Sequence, residues 1–148
     1  MPSARKFFSE QQQEDIRQAI MDAELDTSGE IRVHIEKSCT GDPYERAVWL
    51  FHRLGMQKTA ARNAVLFYLG VENRKFAVVG DAGIHDKVGI DFWESLRSEM
   101  LLQFREGRFA EGLSNAIRLA GEQLKAHYPY KRDDINELKD DISFDQVH

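Results

Sequence analysis

The chain has 148 residues, of which 42% are hydrophobic and 30% are charged, with a formal net charge of −5, which indicates one soluble globular domain. Its longest apolar run is far shorter than a membrane helix, its N-terminus lacks a signal-peptide pattern and its single cysteine excludes an internal disulfide. We therefore expect a cytoplasmic protein without direct membrane insertion, and the lack of a basic stripe argues against a nucleic-acid partner.

Apolar periodicity predicts seven elements along residues 1–128. Helical spacing and capping residues predict four helices, over residues 9–25, from Asp42-Pro43 to Gly55, over about 86–105 and over about 108–127. Short runs rich in Val, Leu, Ile and aromatic residues predict three strands, over residues 30–37, 64–69 and 76–79. The first strand alternates strictly, so we expect one of its faces to lie outside the main core and the strand to sit at or near a sheet edge.

The order α-β-α-β-β-α-α predicts the fold class. The first two strands, joined by a helix, should be parallel, and the third, joined by a tight turn, should run antiparallel to the second. The fold class is therefore α/β, a three-layer α/β/α sandwich with a small mixed sheet. After this single domain, residues 129–148 contain six acids and three bases, and we predict an acidic tail that is either disordered or docked as an extended segment.

The predicted topology gathers polar residues at one edge of the sheet. The starts of the two parallel strands should lie beside the end of the third strand, which places Glu30, Asn63 and Asp81 together. Carboxylate and amide oxygens suit hard cations, so we predict a Ca²⁺ or Mg²⁺ site and no organic cofactor. The predicted metal ligands are Glu30, Asn63, Asp81 and Asp86, with Arg62 and His85 as anion-binding residues. The alternative is that Asp81 and Asp86 are turn and cap residues and that Glu30 is solvated.

The opposite edge, at the carboxyl ends of the parallel strands, is the alternative place for a ligand. It offers Ser38, Cys39, Thr40, Asp42 and the Glu72-Asn73 turn. Nothing near Cys39 in the sequence activates its thiol, so a small apolar role is favoured over a nucleophilic one.

Three segments carry a resemblance to a known family. They are Ser28 to Val33, Arg62 to Tyr68, and Gly80 to Ile84. With these motifs in this order, the chain resembles the TPM domain family over about residues 9–127. That family is named for a thylakoid lumen protein, a photosystem II repair protein and a nematode receptor modulator. The pattern from Phe92-Trp93 to Gly112-Leu113, with Asn136-Glu137-Leu138 in the tail, is similar to a short soluble bacterial branch.

The resemblance implies an α/β/α sandwich and, for some members, binding of divalent cations, notably calcium, at an acidic loop cluster. It also implies a weak acid phosphatase activity in the plant lumenal member. On the matching positions it points to Glu30, Asn63 and Asp81. Relatives often carry Asp-Asn or Asp-Gly where this chain has Arg62-Asn63, and a cation beside a metal site weakens metal affinity.

Three functional hypotheses follow. The first is a non-catalytic module that binds Ca²⁺ or Mg²⁺, with a role in protein maintenance or stress. The second is a metal-assisted phosphomonoester hydrolase, in which Arg62 would hold the phosphate and Asp81 or His85 would transfer the proton. The third is a protein-binding adaptor without metal, which would use the polar face of the first strand or the tail. The first is favoured because the sequence shows no nucleophile–base pair.

Overall fold

The structure, a computed structural model, describes residues 3–129 and 142–145. Its elements in chain order are α1 (Ala4–Phe7), α2 (Glu10–Glu24), β1 (Glu30–Glu36), α3 (Pro43–Arg53), a 3₁₀ turn (Met56–Lys58), β2 (Ala64–Gly70), β3 (Lys75–Gly80), α4 (Ala82–Arg105), α5 (Phe109–His127) and β4 (Ile142–Phe144). The strands form one mixed sheet in the order β3-β2-β1-β4, with β1 parallel to both neighbours and β3 antiparallel to β2. The predicted α/β sandwich with a mixed sheet is confirmed.

Two apolar cores lie on opposite faces of the sheet. Side chains of α2, α4 and α5 pack with Val65 and Phe67 of β2 on one face. Side chains of α3 pack with Leu66 and Tyr68 of the same strand on the other face. Every residue of β2 is buried because helices cover both faces, which accounts for its continuous apolar run.

The predicted helix starts at Ser9 and Asp42 are confirmed by their capping hydrogen bonds. The backbone amide of Gln12 donates to Ser9 Oγ at 3.1 Å, and the amide of Ser9 donates to Gln12 Oε1 at 2.9 Å, which completes a capping box. The amide of Glu45 donates to Asp42 Oδ2 at 2.9 Å, and Pro43 occupies the first helical position of α3.

The alternating strand β1 lies between β2 and the edge strand β4, so the prediction of a strand at or near a sheet edge is confirmed. Three polar residues of its second face are nevertheless buried: Glu30 is 3% exposed, His34 is 0% and Glu36 is 6%. The expectation that Glu30 is solvated is therefore wrong. The outer edge of β1 is covered by β4, which Ile142–Phe144 of the predicted tail forms. Tail residues 130–141 and 146–148, Asn136-Glu137-Leu138 among them, lie outside the described residues.

Helix α4 begins at Ala82, four residues before the predicted start near 86. Asp81 caps this helix, so His85 and Asp86 lie inside its first turns. The helix has a kink at Gly89, where φ is 76° and ψ is 170°. Among the described residues, no helix combines the length and apolar character needed to cross a membrane.

Candidate functional site

The amino edge of the sheet is the edge at which β1 and β2 begin and β3 ends. At this edge, Arg62 and Asp81 form a bidentate ion pair. Arg62 Nε donates to Asp81 Oδ2 and Arg62 Nη2 donates to Asp81 Oδ1, both at 2.7 Å. Asp81 Oδ1 also accepts from the backbone amide of Ala82 at 2.8 Å. The hydrogen bond and the charge of Asp81 raise the pKa of Arg62. Both carboxylate oxygens of Asp81 are therefore engaged by groups of the chain itself.

The other predicted residues of this edge have their own contacts. Asn63 Nδ2 donates to Ser28 Oγ at 3.2 Å, and the amide of Glu30 donates to the carbonyl of Asn63 at 3.5 Å. His85 Nδ1 accepts from Trp93 Nε1 at 3.0 Å. The edge thus brings together Glu30 and Asn63 through the backbone, and Arg62 and Asp81 through side chains.

Asp86 lies on the exposed face of α4. The pKa of Tyr128 is raised, first by burial and then by the charge of Asp86. No group of three or more His, Cys, Asp and Glu side chains in residues 3–129 and 142–145 is arranged to hold a metal ion. The metal site at the amino edge therefore stays a prediction, and a metal ion at Asp81 would have to compete with Arg62 for that carboxylate.

The carboxyl edge holds a buried polar network centred on Glu36, the last residue of β1. Arg46 of α3 donates from Nε to Glu36 Oε1 at 2.9 Å and from Nη2 to Oε2 at 2.5 Å. The buried Tyr68 hydroxyl donates to Oε1 at 2.7 Å. Burial raises the pKa of Glu36, but contacts with Arg46, His34 and Tyr68 outweigh it and lower the pKa to about 2. Glu36 is therefore ionised at neutral pH.

His34 connects this network to the C-terminal strand. Its Nδ1 shares a hydrogen bond of 2.7 Å with Ser143 Oγ of β4. Its Nε2 lies 3.7 Å from Glu36 Oε2 and has no hydrogen-bond partner within the described part of the chain. The imidazole is 0% exposed and lies parallel to the Tyr68 ring at a centroid distance of 6.5 Å. His34 thus lies between β4 and the Glu36 carboxylate.

Beside this network lies an open cavity of about 920 Å³. Its walls are the start of α1, the loop that follows β1, the first two turns of α3, and the residue after β4. The lining residues are Ser3, Ala4, Glu36, Lys37, Ser38, Cys39, Thr40, Gly41, Asp42, Glu45, Arg46, Trp49 and Asp145. We call it the carboxyl-edge pocket. It lies where α/β sheets commonly bind ligands, at the carboxyl ends of the parallel strands β1 and β4.

Cys39 has a structural role in the pocket wall. It is 4% exposed, and its thiol donates to the carbonyl of Gly41 at 3.5 Å. Its backbone amide donates to Asn73 Oδ1 at 2.7 Å, which ties the pocket loop to the β2–β3 turn. A Cβ at Gly70 would lie 2.8 Å from Cys39 Cβ, so this strand end must be glycine for the loop to approach.

The sequence-based prediction of the alternative edge named four residues that line the pocket: Ser38, Cys39, Thr40 and Asp42. It missed Glu36, Arg46, Trp49 and Asp145. Glu36 occupies a polar position at the end of an alternating strand, and that position was the one signal in the sequence. Asp145 reaches the pocket because it follows β4. β4 has three residues, which is too short for periodicity to predict a strand.

Comparisons with known proteins agree with this architecture. The family model of the TPM domain matches residues 3–123. The NMR structure of the BA42 protein from the psychrophilic bacterium Bizionia argentinensis is 44% identical, with coverage of 97% of this chain and 99% of that chain and a TM-score of 0.87. A search of curated proteins found no match.

Two further solved structures share the fold at low identity. The N-terminal domain of a protein from P. gingivalis is 18% identical, with coverage of 86% of this chain and 84% of that chain and a TM-score of 0.68. The N-terminal domain of the cg2496 protein from Corynebacterium glutamicum is 15% identical, with coverage of 84% and 79% and a TM-score of 0.66. The order of elements, the mixed sheet and the family match over residues 3–123 lead to one conclusion: the chain belongs to the TPM domain family.

Proposed function

We propose that this TPM domain is a non-catalytic module that binds a divalent cation, Ca²⁺ or Mg²⁺, in the carboxyl-edge pocket. The observation that supports the proposal is the excess of carboxylates around the pocket; no three His, Cys, Asp or Glu side chains of residues 3–129 and 142–145 form a ready ligand set, so the ion would retain most of its waters. Asp42, Glu45 and Asp145 line it, and none of them has an ion-pair partner in residues 3–129 and 142–145. Arg46 does not neutralise them, because its guanidinium is paired with Glu36.

The charge of the pocket favours a cation. Its lining contains four carboxylates against the two basic side chains Lys37 and Arg46, so its net charge is −2. An open, negatively charged cleft raises the local concentration of cations. Trp49 adds an aromatic ring that is 46% exposed, with the Arg46 guanidinium carbon 4.7 Å from the ring centroid. A hydrated divalent ion held by one or two carboxylates suits this pocket, because Mg²⁺ in particular retains several of its waters in proteins.

The amino edge is the weaker candidate for the same cation. A metal ion at Asp81 would have to displace the Arg62 guanidinium, which already neutralises that carboxylate through two hydrogen bonds. The predicted ligands Glu30, Asn63 and Asp81 therefore remain a second location, and the titration below separates it from the pocket.

Two alternative functions have less support. A phosphomonoester hydrolase needs a positively charged side chain that can bind the phosphate. The predicted side chain, Arg62, is already paired with Asp81. An adaptor that binds its partner through the polar face of β1 has less support, because His34 and Glu36 of this face are buried.

Isothermal titration calorimetry of the whole chain with CaCl₂ and with MgCl₂ tests the proposal. We expect saturable binding that Glu45→Gln weakens severalfold, because the variant removes one charge from the pocket and keeps its shape. Glu122→Gln is the matched control, since Glu122 is exposed on α5, across the sheet from α3. Absence of saturable binding, or equal affinities of the Glu45→Gln and Glu122→Gln variants, would contradict a cation site in this pocket.

A further inference from the structure

We propose that the outer side of β3 is a docking site for an extended acidic peptide, which adds to the sheet as a further strand antiparallel to β3. This site does not depend on a cation in the carboxyl-edge pocket. β3 is the last strand in the sheet order β3-β2-β1-β4, so only one of its two sides is paired within the described sheet. Peptides that add to a sheet use the free hydrogen-bonding groups of such an edge strand.

The strand register identifies the backbone groups that face outward. The amide of Asp81 donates to the carbonyl of Ala64 at 2.9 Å, so Gly80, one residue earlier, makes no ladder bond to β2. Residues of an antiparallel ladder alternate in this respect, and Val78 and Phe76 share the orientation of Gly80. The amides and carbonyls of all three residues point away from β2, and no other group in the described part of the chain forms a hydrogen bond with them.

β3 lacks the features that commonly protect the edge of a sheet. The segment from Phe76 to Gly80 contains no charged residue and no proline, and its register with β2 continues without a bulge. β4, on the opposite side of the sheet, is protected, because it has three residues and is followed by Asp145 in left-handed backbone with a φ of 59°. Val78 and Gly80 are partly exposed, so another strand can approach β3.

Helix α4 runs along β3 and forms one wall of the docking site. The Trp93 ring packs on Gly80, since a Cβ built at Gly80 would overlap this ring. One turn later, the guanidinium carbon of Arg97 lies 5.7 Å from the centroid of the Phe76 ring. One turn before Trp93, Ile90 is 60% exposed. The wall therefore offers apolar surface at the Gly80 end and a positive charge at the Phe76 end.

Three basic side chains surround the start of β3. Arg74, Lys75 and Arg97 form no ion pair with any of the described residues. The guanidinium carbon of Arg74 lies 5.1 Å from the centroid of the Phe109 ring, which belongs to the same aromatic cluster as Phe76. Carboxylates of a partner complement this charge. In an antiparallel strand, which pairs more stably than a parallel one, these carboxylates belong at the C-terminal end of the peptide.

The test uses the whole chain and the peptide acetyl-Thr-Val-Thr-Val-Glu-Glu-amide, followed by NMR. We expect saturable binding that slows hydrogen exchange at the amides of Phe76, Val78 and Gly80. The amides of Ala77 and Val79 should change little, because they already donate to β2. This alternation along the strand is specific for strand addition. The same peptide with lysine in place of both glutamates should bind at least roughly fivefold more weakly.

Two variants of the chain separate the backbone contribution from the charge. Val78→Pro removes an outward amide and leaves the ladder bonds to β2 in place, so it should weaken binding roughly tenfold or more. Arg97→Gln keeps the strand and should weaken binding by roughly twofold to fivefold. Arg118→Gln is the matched control, because Arg118 is exposed in the groove between α5 and α2, and it should bind as the unmodified chain does.

Each other outcome would contradict the proposal. Absence of saturable binding, or slowed exchange only outside β3, would exclude docking at this edge. Equal affinities for the two peptides, or for the Arg97→Gln and Arg118→Gln variants, would exclude an acidic partner. Slowed exchange at Val78 that grows with protein concentration, without peptide, would assign the edge to a second copy of the chain. If Val78→Pro does not fold, the Arg97→Gln variant and the lysine peptide decide the question.

Discussion

Asp81 accepts two hydrogen bonds of 2.7 Å from the Arg62 guanidinium and also caps α4 through the amide of Ala82. The Asp81 side chain therefore both pairs with Arg62 at the amino edge of the sheet and caps α4. Because the Arg62 guanidinium already neutralises the Asp81 carboxylate, we favour the carboxyl-edge pocket over this edge as the place for a cation.

Removal of the Asp81 side chain should destabilise the domain mainly through the helix cap. We expect Asp81→Ala to lower the free energy of unfolding by about 1–2 kcal/mol, measured by urea denaturation. Asp81→Asn should recover part of this loss, because asparagine caps helices well and lacks only the charge. Asp86→Ala, in the same helix and exposed, is the control and should lie within about 0.5 kcal/mol of the unmodified chain. Equal losses for Asp81→Ala and Asp86→Ala would show that the cap does not stabilise α4.

The Tyr68 hydroxyl should contribute measurably to stability. It is buried and donates to the ionised Glu36 at 2.7 Å, so Tyr68→Phe leaves that carboxylate short of one donor. We expect a loss of about 1.5–3 kcal/mol in the free energy of unfolding. Tyr44→Phe is the matched control, because Tyr44 is 56% exposed and should change stability by less than about 0.5 kcal/mol. A Tyr68→Phe variant as stable as Tyr44→Phe would contradict the role of the hydroxyl.

Glu36 should make the domain sensitive to acid. Its pKa is lowered from 4.5 to about 2 in the folded protein, so its ionised form stabilises the fold above pH 4.5. The unfolded chain binds the proton first as the pH falls, and this stabilisation is lost between pH 4.5 and about 2. Its full extent is at most about 3 kcal/mol. Urea denaturation at a series of pH values should therefore give a shallower decline for Glu36→Gln than for the unmodified chain in that range, and identical declines would contradict the lowered pKa.

The kink at Gly89 predicts a glycine-specific cost in α4. Gly89 has a φ of 76° and a ψ of 170°, a region that side chains avoid, although no atom lies within 4 Å of a Cβ built there. We expect Gly89→Ala to lower the free energy of unfolding by about 1–3 kcal/mol through backbone strain. Gly41→Ala serves as the control, because its Cβ also meets open space and its φ is not positive. If both variants are equally stable, the helix adapts without strain.

Local signals predicted much of the fold. The caps at Ser9 and Asp42, the apolar run of β2 and the break after β3 depend on neighbouring residues, so the sequence contains their cause. The antiparallel pairing of β3 with β2 also followed from the short turn between them. The order of the helices and strands can therefore be predicted without knowledge of any long-range contact.

Long-range contacts account for what was missed. Alternation gives the period of β1 but not what covers its polar face, so the burial of Glu30, His34 and Glu36 was not predicted. Burial of Glu36 depends on Arg46, ten residues later, and on Tyr68, on the next strand. The edge of β1 is covered by residues more than 100 positions away, since Ser143 pairs with His34. None of these three partners, Arg46, Tyr68 and Ser143, can be identified from local periodicity.

The location of the cation is the central claim, and a residue-resolved NMR titration of the whole chain with Ca²⁺ and Mg²⁺ tests it most directly. The account predicts that millimolar cation shifts the amides of residues 39–45 and Asp145, with smaller changes elsewhere. Shifts confined to the amides of Glu30, Asn63 and Asp81 would place the cation at the amino edge and contradict the account.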